Sequence, residues 1–468
     1  MEWLVISYEQ FVLLYFAVLA LTYAYFGYLG VRSVIVYSRE LSPLALGDHL
    51  SRDVAKPVSI LVPAFNEEAS IIASVRALLS MHFPRYEVVV VNDGSTDSTL
   101  ERLRQHFALI EVPMAYRQVL PSAEVRGIYR SLRHPNLVVM DKVNGGRADA
   151  LNSAINAARY PLICAIDADT MLDADAVLRA SRVFGEDDTV VGIGGTIRPV
   201  NGAVIEDGRV TSLRVPKRWI ERFQVVEYAR AFFVGRAAWS KLSALMLISG
   251  AFSIFRKEAL VAIQGYWTET VGEDMEVVFR LHRHYRALGK PYKILFTPDP
   301  IAWTEVPSDM RSLRAQRNRW QRGMLETLWR HRSMTFNPRF GRLGMIGVPY
   351  YWVFEAAAPV VEVLGYAALI VSALTGVLFA QFAALFLLLA LLYSVLFSQF
   401  AAGIESFLLA RYPRARDRML LLAASFLEFA GYRQVLVFER FFACFQVRRR
   451  AGQWGSMRRA GTREVAEL

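Results

Sequence analysis

Short apolar runs alternate with helical periods through the middle of the chain, and nearly continuous apolar stretches lie at either end. Residues 11–34 are broken only by Thr, Tyr and Gly before the first charge, Arg32. A run of that length can cross a hydrocarbon core of about 30 Å as a helix. A cleaved leader would start with basic residues and have a shorter apolar core, whereas this run follows Glu2 and Glu9. The pattern therefore predicts a retained anchor over residues 1–40. Arg32, Arg39 and Arg52 follow it, and the positive-inside rule puts the next domain in the cytoplasm.

A second membrane region is predicted over 343–447. Residues 343–380 and 382–410 are both long enough to cross, the latter containing FAALFLLLALLYSVLF. A third segment, 419–447, carries Glu428, Arg433, Glu439 and Arg440. At that depth ionisable groups face a protein interior or a wet cavity, unless the segment lies flat in the interface. Three crossings would export the basic tail 448–468, which begins Arg448, Arg449, Arg450. Two crossings plus an interfacial or re-entrant segment keep it inside, and this arrangement is the expected one.

Between these regions, VSILVPA (58–64), YEVVVVND (86–93), LVVMD (137–141) and LICAIDAD (162–169) read as buried strands. Helical periods at 67–81, 98–107 and 147–158 fill the gaps. β-branched runs of this kind suit a mostly parallel sheet covered on both faces. Ligands of such sheets bind at the carboxyl ends of the strands, which is where Asn66, Glu67, Asp93, Lys142, Asp167 and Asp169 fall. Carboxylates at i and i+2 leaving a buried strand, as Asp167 and Asp169 do, can hold a hard divalent cation on a diphosphate. Asp173 and Asp175 read as caps or first-turn charges of the following helix.

Composition agrees with a membrane-associated chain: 54% of residues are hydrophobic and only 21% charged. The net charge of +11 comes with no recognisable nucleic-acid module, so no nucleic-acid partner is expected. The arginines instead flank apolar segments, which suits membrane lipid headgroups or diphosphates. Cys164 and Cys444 stand far apart and form neither a disulfide framework nor a zinc site. In 308–332, seven arginines follow a helical period. Gln316, Arg319, Trp320 and Gly323 share one helical face; Arg suits phosphate oxygens and the Trp face suits a sugar ring. Arg311, Arg314 and Arg322 are assigned instead to lipid headgroups. His282 and His284 lie two apart on their helix and do not form a metal pair.

Six segments occur in a fixed order: VPAFNEEASI, VNDGSTDSTL, KVNGGRADALN, AIDADT, VGEDMEVVFRL and QRNRWQRG. The series resembles the inverting family-2 glycosyltransferases of GT-A fold, and most of all the membrane-integrated synthases of cellulose, chitin, hyaluronan and poly-N-acetylglucosamine. The resemblance covers residues 55–335. It implies an α/β, Rossmann-like open mixed sheet over 54–335, combined with transmembrane helices. It further implies that Ala64, Glu67 and Asp93 line a uridine pocket, Asp93 accepting a hydrogen bond from the uracil. Lys142 would face the nucleotide phosphates. Asp169, helped by Asp167, would hold Mg²⁺ or Mn²⁺. Asp274, with Glu273 in the same GED triplet, would be the base that deprotonates the acceptor hydroxyl. Gln316, Arg319 and Trp320 complete the Q-x-x-R-W pattern of processive synthases.

The expected enzyme transfers a sugar from a UDP-sugar to a β-linked polysaccharide at the inner membrane. Single addition to a lipid-linked acceptor and a catalytically silent partner in an export complex with accessory subunits are the alternatives. Three features depart from the resemblance. Residues 200–216 form an irregular insert before an amphipathic stretch at 218–239, and no F-x-V-T-x-K loop or cyclic-di-nucleotide-binding domain is found after QRNRW. Arg147 stands where many relatives carry Lys.

Overall fold

The computed structural model describes residues 2–40, 55–113, 116–206, 209–375, 397–404 and 414–447, with isolated positions at 384–385, 388, 412 and 449. The chain opens with helix α1 (Glu2–Glu40). An alternating region follows: β1 (Val58–Ala64), α2 (Ile71–Leu79), β2 (Tyr86–Asp93), α3 (Thr99–His106), β3 (Leu109–Glu111), β4 (Val125–Ser131) and β5 (Leu137–Lys142). It continues through α4 (Arg147–Ala157), β6 (Leu162–Ile166), β7 (Met171–Leu172), α5 (Ala176–Glu186), β8 (Val190–Pro199) and the hairpin β9 (Val204–Glu206) and β10 (Arg209–Ser212). Helix α6 (Trp219–Ala229) then runs through a π-helical stretch, Arg230–Arg236, into Ala237–Lys241. After it come β11 (Phe252–Arg256), α7 (Lys257–Ala262), α8 (Glu273–Ala287), β12 (Lys293–Thr304) and α9 (Met310–Arg330). The last helices are α10 (Ala358–Thr375), α11 (Ala415–Leu427) and α12 (Tyr432–Gln446).

These elements form two compact units. One comprises Ile35–Arg214 and Ser243–Val306. Its ten-stranded sheet has the order β3-β4-β5-β2-β1-β6-β11-β8-β12-β7. The middle strands β5, β2, β1 and β6 run parallel, while antiparallel pairs with β4 and β11 extend the sheet on either side. The sheet is therefore mixed rather than mostly parallel. Register explains why polar residues collect at one edge: Ala64 sits beside Asn92, and Asp93 beside Lys142, so β1, β2 and β5 finish together.

Strands β1 and β2 occupy the limits of their apolar runs because both faces are covered and every second residue has no polar side to show. The outer strands carried a weaker signal. In β8, VVGIGGTIRP, a Cβ on Gly192 would come within 2.7 Å of Phe255, and one on Gly194 within 2.9 Å of Ile248. Glycine there admits neighbouring side chains but erases the β-branched pattern. Helix α2 starts at Ile71 rather than at 67, because Asn66 takes a left-handed φ of 57° and Glu67 closes a turn, its carbonyl accepting from the Ser70 and Ile71 N–H groups. The 200–216 insert is ordered by the β9–β10 hairpin, whose Ile205 is buried with Met171, Val200 and Trp303.

The second unit comprises Met1–Val34, Val215–Leu242 and the described residues from Pro307 onward. Gln10–Tyr37 and Ala358–Thr375 are long and apolar enough to cross a membrane. The predicted run 343–380 is broken at its start: π-helical turns Leu343–Gly347 and Tyr351–Ala356 precede α10. Most of the predicted crossing 382–410 and the tail 448–468 lie outside the described residues. The third segment is a pair of helices, α11 and α12, bent by 53° at their junction, where Gly431 has φ 101°. The ionisable groups there have partners. Glu428 accepts from Arg230 Nη1 at 2.6 Å, Glu439 from Arg314 and Asn318, and Arg440 donates to Gln321 and the Glu355 carbonyl.

One buried carboxylate ties strands of the first unit together. Glu87 Oε1 accepts from Ser59 Oγ at 2.6 Å and from the Arg159 N–H at 2.6 Å, while Oε2 accepts from Arg159 Nε at 2.7 Å. Replacing Glu87 by Ala leaves these donors without an acceptor, so the expected loss is about 2–4 kcal/mol of stability. The expected result is a lower midpoint of thermal inactivation of the solubilised protein. An unchanged midpoint would show that this carboxylate does not hold the strands.

Candidate active site

The carboxyl edge of β2 and β5 is organised by a buried ammonium between two carboxylates. Lys142 Nζ lies 2.6 Å from Asp93 Oδ1, 2.6 Å from Asp149 Oδ1 and 2.6 Å from the Val143 carbonyl oxygen. Its side chain is 0% exposed. An ammonium has three N–H groups, and all three are engaged. In this structure Lys142 holds the loop that follows it. Asp93 completes the clasp: Oδ1 accepts from the Gly145 N–H at 3.0 Å and Oδ2 from the Gly146 N–H at 2.8 Å. Asn144 Nδ2 bonds the Asp93 carbonyl at 2.7 Å. A Cβ on Gly145 would fall 2.5 Å from Asp149 Oδ1, so this turn needs glycine. The carboxylate expected to receive a uracil N–H therefore already receives three donors, the Lys142 ammonium and the Gly145 and Gly146 N–H groups.

The neighbouring strand ends are laced together in the same way. Ala64 is buried beside Asn92. Glu67 is buried, its backbone N–H donating to Thr99 Oγ1 at 2.9 Å and its Oε2 accepting from Ser70 Oγ at 2.8 Å. Asn66 Oδ1 accepts from the Thr96 N–H at 2.8 Å. The loops after β1 and β2 thus form a single rim carrying Ala64, Glu67 and Asp93.

Asp167 and Asp169 follow the last residue of β6. Asp167 Oδ1 is 2.7 Å from Arg147 Nε. Burial, together with the charge of Asp167, pushes the Asp169 carboxyl up to about 7. A buried carboxyl crowded by a neighbouring carboxylate, as Asp169 is by Asp167, suits a hard divalent cation, which takes oxygen ligands and relieves the repulsion. Among the described residues no group of three or more His, Cys, Asp or Glu is placed to hold a metal.

Arg147 also binds Glu273 Oε1, at 2.9 Å. Glu273 and Asp274 open α8 behind the N-cap Gly272, where the helix dipole favours negative charge. Asp274 Oδ1 accepts from the Met275 N–H at 2.9 Å. Asp274 lines a small cleft with Arg147, Gly250, Ser253 and Tyr266. Burial pushes the Tyr266 hydroxyl up to about 12, so it stays protonated there. Arg147 is the residue whose importance the motifs understated: it was noted only as a departure, yet it links the two acidic segments.

Gln316, Arg319 and Trp320 lie on α9, in the other unit, and their surroundings differ despite the shared helical face. Gln316 is buried, Arg319 is half-buried and Trp320 is 43% exposed. The Arg317 guanidinium lies over the Trp320 ring at 4.1 Å and pairs with Glu227 at 2.8 Å. Arg322, assigned to lipid headgroups, is buried and donates to Asn318 at 3.0 Å. Arg179 binds both Asp173 and Asp175, so these acids serve an ion-pair cluster, and Asp175 makes no side-chain cap bond. His282 is buried between the Tyr292 hydroxyl and the Leu245 carbonyl, and burial pushes it down to about 4.

Residues 162–403 match the family described as Glycosyl transferase family group 2, and residues 59–261 match Glycosyl transferase family 2. The poly-β-1,6-N-acetyl-D-glucosamine synthase of Staphylococcus epidermidis is 30% identical over 275 residues, covering 58% of this chain and 56% of that protein. The synthase of the same name from Staphylococcus aureus strain COL is 28% identical over 280 residues, covering 59% and 57%. The chain thus spans little more than half the length of these curated relatives. A mannosyltransferase from Pyrobaculum calidifontis, solved with GDP-Man and Mn²⁺, superposes with a TM-score of 0.50 at 19% identity, covering 89% of this chain and 99% of its own. The fold they share is GT-A.

Exchanging Lys142 for Met leaves Asp93 and Asp149 as two buried carboxylates without a cation. The expected cost is about 3–5 kcal/mol, seen as rapid proteolysis within 142–147 together with a lower melting temperature. A variant as stable as the parent that merely binds nucleotide less tightly would instead give Lys142 the phosphate-facing role that the resemblance implies.

Proposed function

Because the chain belongs to glycosyl transferase family group 2, we propose that it transfers N-acetylglucosamine from a UDP-sugar, with inversion, to the growing end of a β-linked polysaccharide. The observation that carries this reading is the joining of the AIDADT and GED segments at one end of the sheet: Asp167 and Glu273 meet on one guanidinium, and Asp274 opens onto the cleft beside it. The choice of sugar and of a polymeric product rests on the synthases to which the chain is similar.

In this reading the rim formed by Ala64, Glu67 and Asp93 receives the uridine. Asp167 and Asp169 hold Mg²⁺ or Mn²⁺, which offsets the charge that develops on the departing diphosphate. Asp274 is the base: its carboxylate takes the proton of the acceptor hydroxyl as that oxygen attacks the anomeric carbon from the face opposite UDP. Glu273 is engaged with Arg147 and steadies the turn on which Asp274 sits. A single displacement on an α-linked donor gives a β-linked product.

Gln316, Arg319 and Trp320 are assigned to the acceptor and the diphosphate. The Arg317 guanidinium over the Trp320 ring stiffens a platform on which a sugar can stack. Residues 1–40 serve as an anchor in the inner membrane, 54–335 as the cytoplasmic catalytic domain with its interfacial helices, 343–447 as membrane and interfacial helices, and 448–468 as a basic tail. Membrane lipids surround the helices, and accessory export subunits are further partners of this assembly.

Asp274→Asn preserves shape and removes the base. UDP affinity is expected to change little, while turnover falls at least about a hundredfold, the usual scale for a positioned base. Isothermal titration with UDP and initial rates with UDP-N-acetylglucosamine decide it. Equal losses in binding and turnover would make Asp274 a structural residue and remove the proposed chemistry.

A further inference from the structure

Arg147 has no chemical role in the mechanism above, yet its guanidinium bonds to three separate segments. Nε donates to Asp167 Oδ1 at 2.7 Å, Nη1 to Glu273 Oε1 at 2.9 Å and Nη2 to the Gly250 carbonyl at 2.7 Å. These partners come from the turn after β6, the first turn of α8 and the approach to β11. The side chain is 13% exposed and that of Glu273 only 5%. Burial opposes the charge, but Asp167 and Glu273 outweigh it and raise the pKa, so the group is charged throughout the working pH range.

Two features built around Arg147 fix where it sits. Gly146, in front of it, has φ 85° and is pinned to Asp93. At Gly250 a Cβ would meet the guanidinium at 3.1–3.3 Å, so only a residue without one leaves it ordinary contact distance.

We propose that Arg147 is a positioning residue that couples the cation site to the base. It holds Glu273, and with it the turn carrying Asp274, while its charge opposes cation binding at Asp167 and Asp169. The inference rests on the reading of that pair as the cation site and of Asp274 as the base. The two effects have opposite signs. A divalent cation at the pair is repelled by a buried positive charge already bonded to Asp167. Removing that charge takes away the Arg147 bond from Asp167 and the repulsion beside the pair, which strengthens cation binding. The same removal takes one tether from the first turn of α8, so Asp274 meets the acceptor in a less fixed pose. Lysine would restore the charge but not the planar fork needed to bond three acceptors at once.

The test uses the full chain in lipid nanodiscs. Mn²⁺ is titrated in the presence of UDP and its free fraction read by electron paramagnetic resonance, with initial rates on the same preparations. Arg147→Met is expected to bind Mn²⁺ about tenfold more tightly, the effect of one nearby charge in a partly screened site. Its kcat is expected to fall about ten- to a hundredfold, as for a misplaced catalytic group. Arg147→Lys is expected to return Mn²⁺ affinity to near the parent value while kcat stays low.

A loss of structure, or of a phosphate contact, would weaken Mn²⁺ binding and kcat together in Arg147→Met and overturn the coupling. If Arg147→Met does not fold, Arg147→Lys decides alone: full recovery of kcat overturns the proposal, and parent-like Mn²⁺ affinity with low kcat supports it. Asp169→Asn in the same titration separates the underlying reading. If that variant binds Mn²⁺ as the parent does, the cation site itself is misassigned and the proposal falls with it.

Discussion

A single buried ammonium, shared between two carboxylates, sets the carboxyl edge of this sheet. Lys142 pairs with Asp93 on β2 and Asp149 on α4, and none of the three is stable in that setting without the others. Because Asp93 also receives the Gly145 and Gly146 N–H groups, the clasp fixes the tight turn that leads into α4. The first residue of α4 is Arg147. Its bonds to Asp167 and Glu273 join the turn after β6 to the start of α8. The proposed cation pair and the proposed base are therefore held by a chain of charge compensations that starts in the sheet.

Much of this was legible in the sequence, and the limits have physical causes. β1 and β2 coincide with their apolar runs because strands buried on both faces show no polar alternation. The acids at the strand ends were visible because a charged residue directly after a buried run needs a reason. Side-chain direction was not visible. The position of a lysine at the end of β5 does not announce an internal counter-ion, and Asp149, one helical turn into α4, supplies that pairing in the structure. The motif KVNGGRADALN contained both halves of that answer. Arg147 was legible as unusual, but its partners lie 20 and 126 residues away, beyond the reach of any local pattern. The strands with glycines, such as β8, were lost because close approach of neighbours requires the residues that weaken a strand signal.

The second unit shows the same economy of charge. Ionisable residues in α12 and at its junction with α11, unusual for segments so apolar, meet partners from the π-helical stretch after α6, from α9 and from α10: Glu428 with Arg230, Glu439 with Arg314, Arg433 with Glu362. The bend of 53° at Gly431 places Glu428 at a break, where a carboxylate and free backbone groups can be satisfied together. Pairing inside the unit accounts for the charge these segments carry.

The central proposal is that this chain transfers sugar from a UDP-α-sugar by one displacement. The most direct measurement is the stereochemistry of the new bond. Purified protein in nanodiscs is given UDP-N-acetylglucosamine with Mn²⁺, UDP release is followed, and the product is sized and its anomeric proton read by NMR. The account predicts UDP release matched by a β-linked product longer than the acceptor by many sugars. An α-linked product, or UDP release with no new glycosidic bond, would contradict it.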